Sequence, residues 1–232
     1  MRIWHQGFVE LETAPRYVAA LTQHLRQVAA PGTTVDLHGL ATGTYTPHRT
    51  AADIARDPAL LPLGLRQVVD NVVRAEREGY DAAAITIVQD IGLREARARV
   101  RIPVAGYGES ALRLARATGE RFAVVAFDRA IGDRIEDEIR LLGMADSAMA
   151  VEIVETDYGS VVEAFERPER LVDAFRAAAR RAIAGGAGAI IPGQTIMAEA
   201  LWQHGLRDVD GVPVIDALGV TIAAAEAMVR PG

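Results

Sequence analysis

The sequence predicts an α/β protein built from two halves, each a parallel β-sheet covered by helices. The first observation is that short β-branched runs alternate with longer amphipathic runs along the whole chain. The second is that this alternation starts again near Gly106 with a similar layout, although there is no strict sequence repeat. The third is that hydrophobic residues make up 50% of the 232 residues, which permits a large core in one big domain or two small ones. We therefore expect two closely packed halves with a cleft between them.

Four strands and two long helices are predicted in the first half. The strand-like runs are RIWHQ at the start, TVDLHGL from Thr34, AAAITIV from Ala82 and PVAGY from Pro103. The long helical runs carry apolar residues at helical spacing and stop at PGT and GYD; they are RYVAALTQHLRQVAA and LGLRQVVDNVVRAEREGY.

A second set of strands and helices follows. The predicted strands are RFAVVAF, AVEIVET, AIIPG and PVID. The predicted helices are ESALRLARATGE, IGDRIEDEIRLLGM, PERLVDAFRAAARRAIAGGA, residues 196–204 and TIAAAEAMV. We expect the last strand and helix to rejoin the first half near Gly211. The predicted domains are therefore residues 1–105 with 211–232, and residues 106–210.

Charge, cysteine count and histidine spacing argue against several classes of function. The net charge of -6 and the scattered arginines offer no basic surface for nucleic acid. No leader-like segment and no apolar run of about 20 residues is present, so we expect a cytoplasmic protein without a membrane partner. The absence of cysteine excludes disulfides, thiolate ligands and cysteine nucleophiles. The histidines lack zinc-helix spacing, and AGGAGAII precedes a strand instead of following one. We therefore expect neither a metal nor a nucleotide cofactor.

Candidate site residues are sought just after each strand, because parallel sheets covered by helices receive ligands at the carboxyl ends of their strands. Gln89 and Asp90 follow the strand that begins at Ala82. Asp90 either caps the short helix GLREARARV, as aspartate often does, or faces the cleft as a general acid or base. Gln89, beside it, is a candidate for holding substrate.

Gly193, Gln194 and Thr195 follow the strand AIIPG, where a new helix begins. The glycine would let the backbone approach a ligand, and free N–H groups of the helix would bind a carboxylate. The alternative is an ordinary strand-to-helix turn with Thr195 as its cap. We favour substrate binding, since a buried glutamine amide needs partners that a cleft would supply.

The remaining candidates lie in two other segments and at one other strand end. Glu109 and Ser110 begin the helix after PVAGY, where the helix dipole alone also favours a glutamate. Tyr45 and His48 lie in GTYTPH, a loop that is polar and long enough to act as a lid. The other residues expected to hold substrate oxygens are Gln6, Gly43 and Thr44.

Taken together, these segments resemble the aspartate/glutamate racemase superfamily and, within it, the hydantoin racemase-like branch. The resemblance runs nearly end to end through RIWHQ, PGTTVDLHGLATGTY, RAEREGYDA, QDIGLREAR, IPVAGYGES and GVPVIDALGV. It implies two pseudo-symmetric, Rossmann-like halves with the active site in the cleft between them. It also implies cofactor-independent chemistry at a carbon next to a carboxylate or carbonyl.

The chain departs from this resemblance at two positions. Family members typically place one cysteine at a strand end of each half, and the two remove and return a proton on opposite faces of the substrate; decarboxylase relatives keep one. Here Ile87 stands at the first position and Gln194 at the second. Isoleucine has no proton to exchange and a neutral amide is no base, which excludes a two-cysteine racemase. Gln194 can still bind or polarise a carbonyl or carboxylate.

Three hypotheses follow for the function. Another residue has taken over proton transfer, first Asp90 and then Tyr45, His48 or Glu109. Alternatively, the reaction is a decarboxylation, elimination or isomerisation driven by desolvation and oxyanion stabilisation. The third hypothesis is a catalytically inactive small-molecule sensor. We predict a cofactor-independent isomerase or lyase for a small carboxylate, dicarboxylate or cyclic imide, assembled as a homo-oligomer.

Overall fold

The computed structural model describes residues 1–45, 50, 53, 57–118 and 120–229. Contacts divide the chain into two compact units, Met1–Tyr107 with Leu218–Gly232, and Gly108–Ala217. Each unit contains a parallel sheet, in the order β2-β1-β3-β4 and β6-β5-β7 respectively, and helices pack on both. This confirms the predicted α/β class.

Among the residues described, the first unit contains four strands, three whole α-helices and nearly all of a fourth. The strands are β1 (Arg2–Gln6), β2 (Thr34–His38), β3 (Ala82–Ile85) and β4 (Val104–Gly106). The helices are α1 (Pro15–Val28), α2 (Leu61–Arg77), α3 (Leu93–Arg97) and α9 (Ala217–Val229), whose first residue belongs to the other unit, and a short 3-10 helix spans Leu11–Thr13.

The strand order of this unit brings the ends of β1 and β3 side by side. In the parallel register, Gln6 lies opposite Ile85. The N–H of Thr86 continues the pairing beyond β3 by donating to the Gln6 carbonyl at 2.9 Å. The four residues of β3 are all buried, as expected for a central strand. The predicted strand AAAITIV thus ends at Ile85, and the next residues turn towards Asp90.

Within its described residues, the second unit contains five strands, of which three form its main sheet. The strands are β5 (Arg121–Ala126), β6 (Glu152–Ile153), β7 (Ala187–Pro192), β8 (Asp208–Val209) and β9 (Val212–Pro213). The helices are α4 (Tyr107–Ala117), α5 (Arg129–Leu141), α6 (Tyr158–Glu163), α7 (Glu169–Ala184) and α8 (Thr195–Gln203). The short α6, which the sequence analysis did not predict, is capped by Asp157, whose carboxylate accepts from Ser160 N at 2.7 Å.

The strand PVID does not rejoin the first unit, contrary to the prediction. Its residues Val212 and Pro213 pair with β8, and Val214 forms a parallel bridge to Ile190 of β7. The cause is the turn between β8 and β9, where Asp210 and Gly211 both have positive φ, 52° and 84°. Such a two-residue Asp-Gly hairpin folds the chain back at once. The chain therefore returns to the first unit only at Leu218.

No helix among the described residues is long and apolar enough to cross a membrane.

In the second unit, the side chain of Arg207 lies over the ring of Trp202, 4.6 Å from its centroid. His48, one of the predicted site residues, lies outside the described residues.

Candidate functional site

Asp90 is a buried carboxylate at the exit of β3. Asp90 is 8% exposed, and its φ of 47° lies in the left-handed region that aspartate tolerates better than most residues. The turn is closed by Asp90 N, which donates to Ile87 O at 2.8 Å. Helix α3 begins after its N-cap residue Gly92, whose φ is 83°. The capping role and the acid–base role of Asp90 both stay predictions.

The Asp90 carboxylate lies against Gly106, the last residue of β4. A Cβ atom added to Gly106 would stand 2.7 Å from Asp90 Oδ1 and 2.4 Å from Leu93 Cδ2. Real Cβ contacts are almost never below 3.0 Å, so only glycine fits here while these side chains keep their positions. The positive φ of Asp90 and the missing side chain of Gly106 together place the carboxylate where β3 and β4 end side by side.

The neighbours of Asp90 in the exit segment differ in character. Ile87 is 4% exposed and packs in the apolar cluster that also contains Trp4 and Phe8. The position where the resemblance places a cysteine is thus part of the hydrophobic core. The Nε2 atom of Gln89 is buried without a hydrogen-bond partner among the described residues. It is therefore available to donate to a ligand oxygen, although Gln89 as a binding residue stays a prediction.

Three predicted site residues lie in one loop that the protein holds by its own hydrogen bonds. The buried Glu10 accepts from Gly43 N at 3.0 Å and from Tyr45 N at 2.5 Å. Gln67 donates to the Thr44 hydroxyl at 2.9 Å. The hydroxyl of Tyr45 donates to the Phe8 carbonyl. Glu10 and Gln67 were not recognised in the sequence, although Glu10 follows β1 closely enough to be counted among its exit residues.

The end of β1 carries a polar pair that the sequence analysis also missed. The His5 ring is fully buried, and its Nε2 atom lies 2.7 Å from Thr86 Oγ1. Gln6, which was predicted to hold substrate, uses its amide internally: Nε2 donates to Gly7 O at 2.8 Å and Oε1 accepts from Trp4 Nε1 at 3.1 Å. The only sequence feature that pointed to His5 was its position in RIWHQ, directly before the predicted site residue Gln6.

Burial sets the ionisation of the histidines of this sheet. Burial, with a smaller contribution from the nearby His38, lowers the pKa of His5 to about 4. Burial also lowers the pKa of His38, while its hydrogen bond to Asp36 O opposes this shift. The His38 ring stacks on Trp4 with a centroid distance of 3.2 Å and an angle of 5°. His5 is therefore neutral at pH 7.

In the second unit, Gln194 is a buried amide with one donor available. It is 7% exposed, and its Oε1 accepts from Phe127 N at 3.2 Å. Its Nε2 has no hydrogen-bond partner among the described residues. Gln194 is the N-cap residue of α8, yet its side chain makes no capping hydrogen bond. An N–H donor at the start of a helix is suited to a carbonyl or carboxylate oxygen.

The residues on either side of Gln194 have structural explanations of their own. A Cβ on Gly193 would lie 3.0 Å from both Ala126 Cβ and Val125 O, so close packing on β5 by itself favours glycine. Thr195 is half-buried and is the first residue of α8. Substrate contacts at both residues stay predictions.

Glu109 and Ser110 lie in the first turn of α4, as predicted. The Glu109 carboxylate is half-buried and accepts from Arg113 Nη2 at 2.7 Å, an i, i+4 ion pair. Ser110 is also half-buried. The ion pair and the helix dipole both account for Glu109 without a catalytic role, which leaves Asp90 as the stronger candidate for proton transfer.

The described residues contain no cluster of three or more metal-ligating side chains. The strand exits of the first unit carry the buried carboxylate of Asp90 and the pair of His5 and Thr86. The strand exits of the second unit carry the amide donor of Gln194. Such groups suit proton transfer next to a carbonyl and stabilisation of the resulting oxyanion.

Comparisons with known proteins agree with this reading of the fold. The Asp/Glu/hydantoin racemase family model matches residues 7–227. A hydantoin racemase from Pseudomonas sp. (strain NS671) is 34% identical over 172 residues, which cover 73% of this chain and 67% of that protein. A hydantoin racemase from Rhizobium meliloti is 26% identical over 191 residues, 80% of this chain and 78% of that protein.

Among solved structures, an allantoin racemase from Pseudomonas fluorescens superimposes with a TM-score of 0.80 at 26% identity, over 99% of this chain and 91% of that one. The family match therefore extends over nearly the whole described chain. This chain belongs to the Asp/Glu/hydantoin racemase family.

Proposed function

We propose that the protein is a cofactor-independent isomerase or lyase that acts at a carbon next to a carboxylate or carbonyl. Its substrate would be a small carboxylate or cyclic imide, and its acid–base chemistry would not use cysteine, since the chain has none. Membership of the family and the names of the relatives, hydantoin and allantoin racemases, support this class of reaction.

The observation that carries the proposal is the placement of Asp90. The carboxylate is 8% exposed at the exit of β3 and lies against Gly106, where a larger residue would not fit, so the fold fixes its position. We propose that Asp90 takes the proton from the reacting carbon, leaving the electron pair on the substrate as an enolate, and returns a proton to that carbon. Tyr45, His48 and Glu109 are the other candidates for this role.

The amide of Gln194 supports the proposed class of substrate. Its buried Nε2 can donate to one carbonyl or carboxylate oxygen, and burial strengthens such a bond because the local dielectric is low. Cyclic imides and small carboxylates both present such oxygens. Gln89, whose Nε2 is likewise buried without a partner among the described residues, could donate to another.

A small-molecule sensor is the second candidate function. It is favoured by Ile87, which fills the position of a family cysteine with a side chain packed in the core. In this case Gln89 and Gln194 would bind a ligand, and no proton would be exchanged.

Proton NMR in deuterated water distinguishes the two candidates. The protein is incubated with hydantoins, amino acids, and substituted malonates and maleates. An enzyme removes the α-proton signal of its substrate or releases carbon dioxide. We expect Asp90→Asn to lower that rate by about a hundredfold or more, since this is the usual contribution of a positioned acid or base.

Asp157→Asn is the matched control, because Asp157 is an exposed capping residue and asparagine caps equally well. Its rate should equal that of the wild type. Saturable ligand shifts without exchange, across the whole panel, would favour the sensor. Full activity of Asp90→Asn would remove Asp90 from the mechanism.

A further inference from the structure

The side-chain amide of Gln194 is held in one orientation by the protein itself. Its Oε1 accepts from the backbone N–H of Phe127 at 3.2 Å. A backbone N–H can only donate, so the amide atom that meets it must be the oxygen; the flipped amide would set two donors against each other. The amide nitrogen is therefore the group that remains for a further contact.

The paired ends of β5 and β7 hold both partners of this hydrogen bond. Val125 lies opposite Pro192 in the parallel register, and Gly193 N donates to Val125 O at 2.7 Å. Phe127 and Gln194 each come two residues after this register pair. Their hydrogen bond thus continues the pairing of the two strands, and the orientation of the amide is set before any ligand binds.

What Gln194 offers a ligand is consequently a donor. Its Nε2 is buried, accepts no hydrogen bonds and has no partner among the described residues, and the residue is 7% exposed. A buried N–H group without an acceptor costs stability, and an apolar side chain of similar length, such as methionine, would avoid that cost. A ligand oxygen that reaches Nε2 is desolvated there, which strengthens the hydrogen bond between them.

Helix α8 adds partial positive charge beside this amide. Gln194 is its N-cap residue, in an extended conformation with φ of -144° and ψ of 138°, and its side chain makes no capping hydrogen bond. The first N–H groups of an α-helix have no partner inside the helix, and the helix dipole places about half a positive charge there. A negatively charged oxygen on Nε2 gains from this field, whereas a neutral carbonyl gains less.

We infer that Gln194 is a specificity-determining residue that selects a carboxylate over a cyclic imide. The inference rests on the function proposed above and chooses between the two substrate classes named there. A carboxylate presents only acceptor oxygens, and its hydrogen bonds are about twice as strong as those of a neutral carbonyl. A cyclic imide presents a ring N–H between two carbonyls, and Nε2 cannot accept from that N–H.

Isothermal titration calorimetry with methylmalonate and 5-methylhydantoin tests this preference. We expect the wild type to bind the carboxylate about tenfold or more tightly than the imide. Gln194→Glu keeps an oxygen that accepts from Phe127 but replaces the donor by a second, charged oxygen. It should weaken binding of methylmalonate by about ten- to a hundredfold, and leave binding of 5-methylhydantoin within about threefold.

Gln23→Glu is the matched control. It makes the same change of charge at an exposed position of α1, in the other unit, and both affinities should equal those of the wild type. If Gln194→Glu does not fold by circular dichroism, Gln194→Met takes its place, because it removes the donor without adding a charge. We expect about tenfold weaker binding of methylmalonate by this variant and unchanged binding of 5-methylhydantoin.

Three results would overturn the inference: a wild type that prefers 5-methylhydantoin, a wild type that does not bind methylmalonate, and unchanged methylmalonate affinity in the Gln194 variant. None of them decides whether the protein is an enzyme, because the NMR assay measures α-proton exchange separately. Conversely, a protein that binds methylmalonate through Gln194 but catalyses no reaction across the panel loses the proposed function and keeps the specificity assigned to this residue.

Discussion

At one buried histidine, folding is coupled to proton binding. The pKa of His5 is about 4 in the folded protein, below the usual value of 6.5 that the unfolded chain restores. Between these values the unfolded state binds a proton that the folded state does not, so acid stabilises the unfolded state. The contribution is fully present above pH 6.5 and is lost as the pH falls towards 4.

The prediction at this scale concerns His5→Gln. Wild type should lose about 3 kcal/mol of unfolding free energy relative to the variant between pH 7 and pH 4, since each unit of pKa shift corresponds to about 1.4 kcal/mol. Urea unfolding of both proteins across this range measures the difference. A difference that is independent of pH would show that His5 takes up its proton as readily in the folded state as in the unfolded one.

Single residues also show where prediction from sequence stops. The positions of Asp90 and Gln194 just after a strand could be predicted, because the sequence pattern of a strand, a polar residue and a helix is recognisable at both places. The contact of the Asp90 carboxylate with Gly106 could not, since it depends on how β4 packs on the exit of β3. Glu10 was missed because its backbone donors, in the loop around Gly43, lie 33 and more residues away.

At the scale of elements, the packing of β4 on the exit of β3 places the carboxylate. Gly106→Ala should lower both the stability of the fold and the rate at which the substrate α-proton exchanges. The added methyl group would meet Leu93 Cδ2 at 2.4 Å and Asp90 Oδ1 at 2.7 Å. We expect a loss of about 1–3 kcal/mol in unfolding free energy, as for other overpacked sites, with slower exchange. Thermal or urea unfolding and the NMR assay provide the two measurements.

Gly132→Ala is the control for this variant. Gly132 is also buried, within helix α5, but a methyl group there would meet its nearest neighbour, Val151 Cγ1, at 3.2 Å. Its exchange rate should stay at the wild-type level. Equal loss of exchange in both variants would mean that overpacking in general, and not displacement of Asp90, is responsible.

Helices and strands with strong local patterns were predicted almost completely, and the failures have a common origin. The strand AVEIVET is reduced to Glu152–Ile153, and PVID pairs with β7 of the second unit. Which sheet a short strand joins depends on partners that are distant in sequence. The exception is the Asp210-Gly211 turn, because an Asp-Gly pair indicates a hairpin from the sequence alone.

For the whole molecule, the family fold is retained while its thiols are absent. The double variant Ile87→Cys/Gln194→Cys should therefore add cysteine-dependent α-proton exchange on hydantoins. We expect about a hundredfold more than in either single variant, since each thiol alone can transfer a proton on one face only. Exchange is measured by NMR before and after alkylation, and the alkylated protein gives the background.

The two single-cysteine variants control for changes in packing at the buried Ile87 and Gln194 positions. Exchange that alkylation does not reduce would contradict the assignment of these positions. It would also indicate that the surrounding groups have diverged beyond the cysteine reaction.

The division into two units carries a practical consequence for spectroscopy. The chain has two tryptophans, and each unit contains one, Trp4 on β1 and Trp202 on α8. Trp4 is buried and stacked on the His38 ring, whereas Trp202 is half-buried beneath the Arg207 guanidinium. The two indoles therefore have different environments and different emission. Replacing either one by phenylalanine leaves a single fluorophore that reports on its own unit, so the order in which the units melt can be read optically without any label.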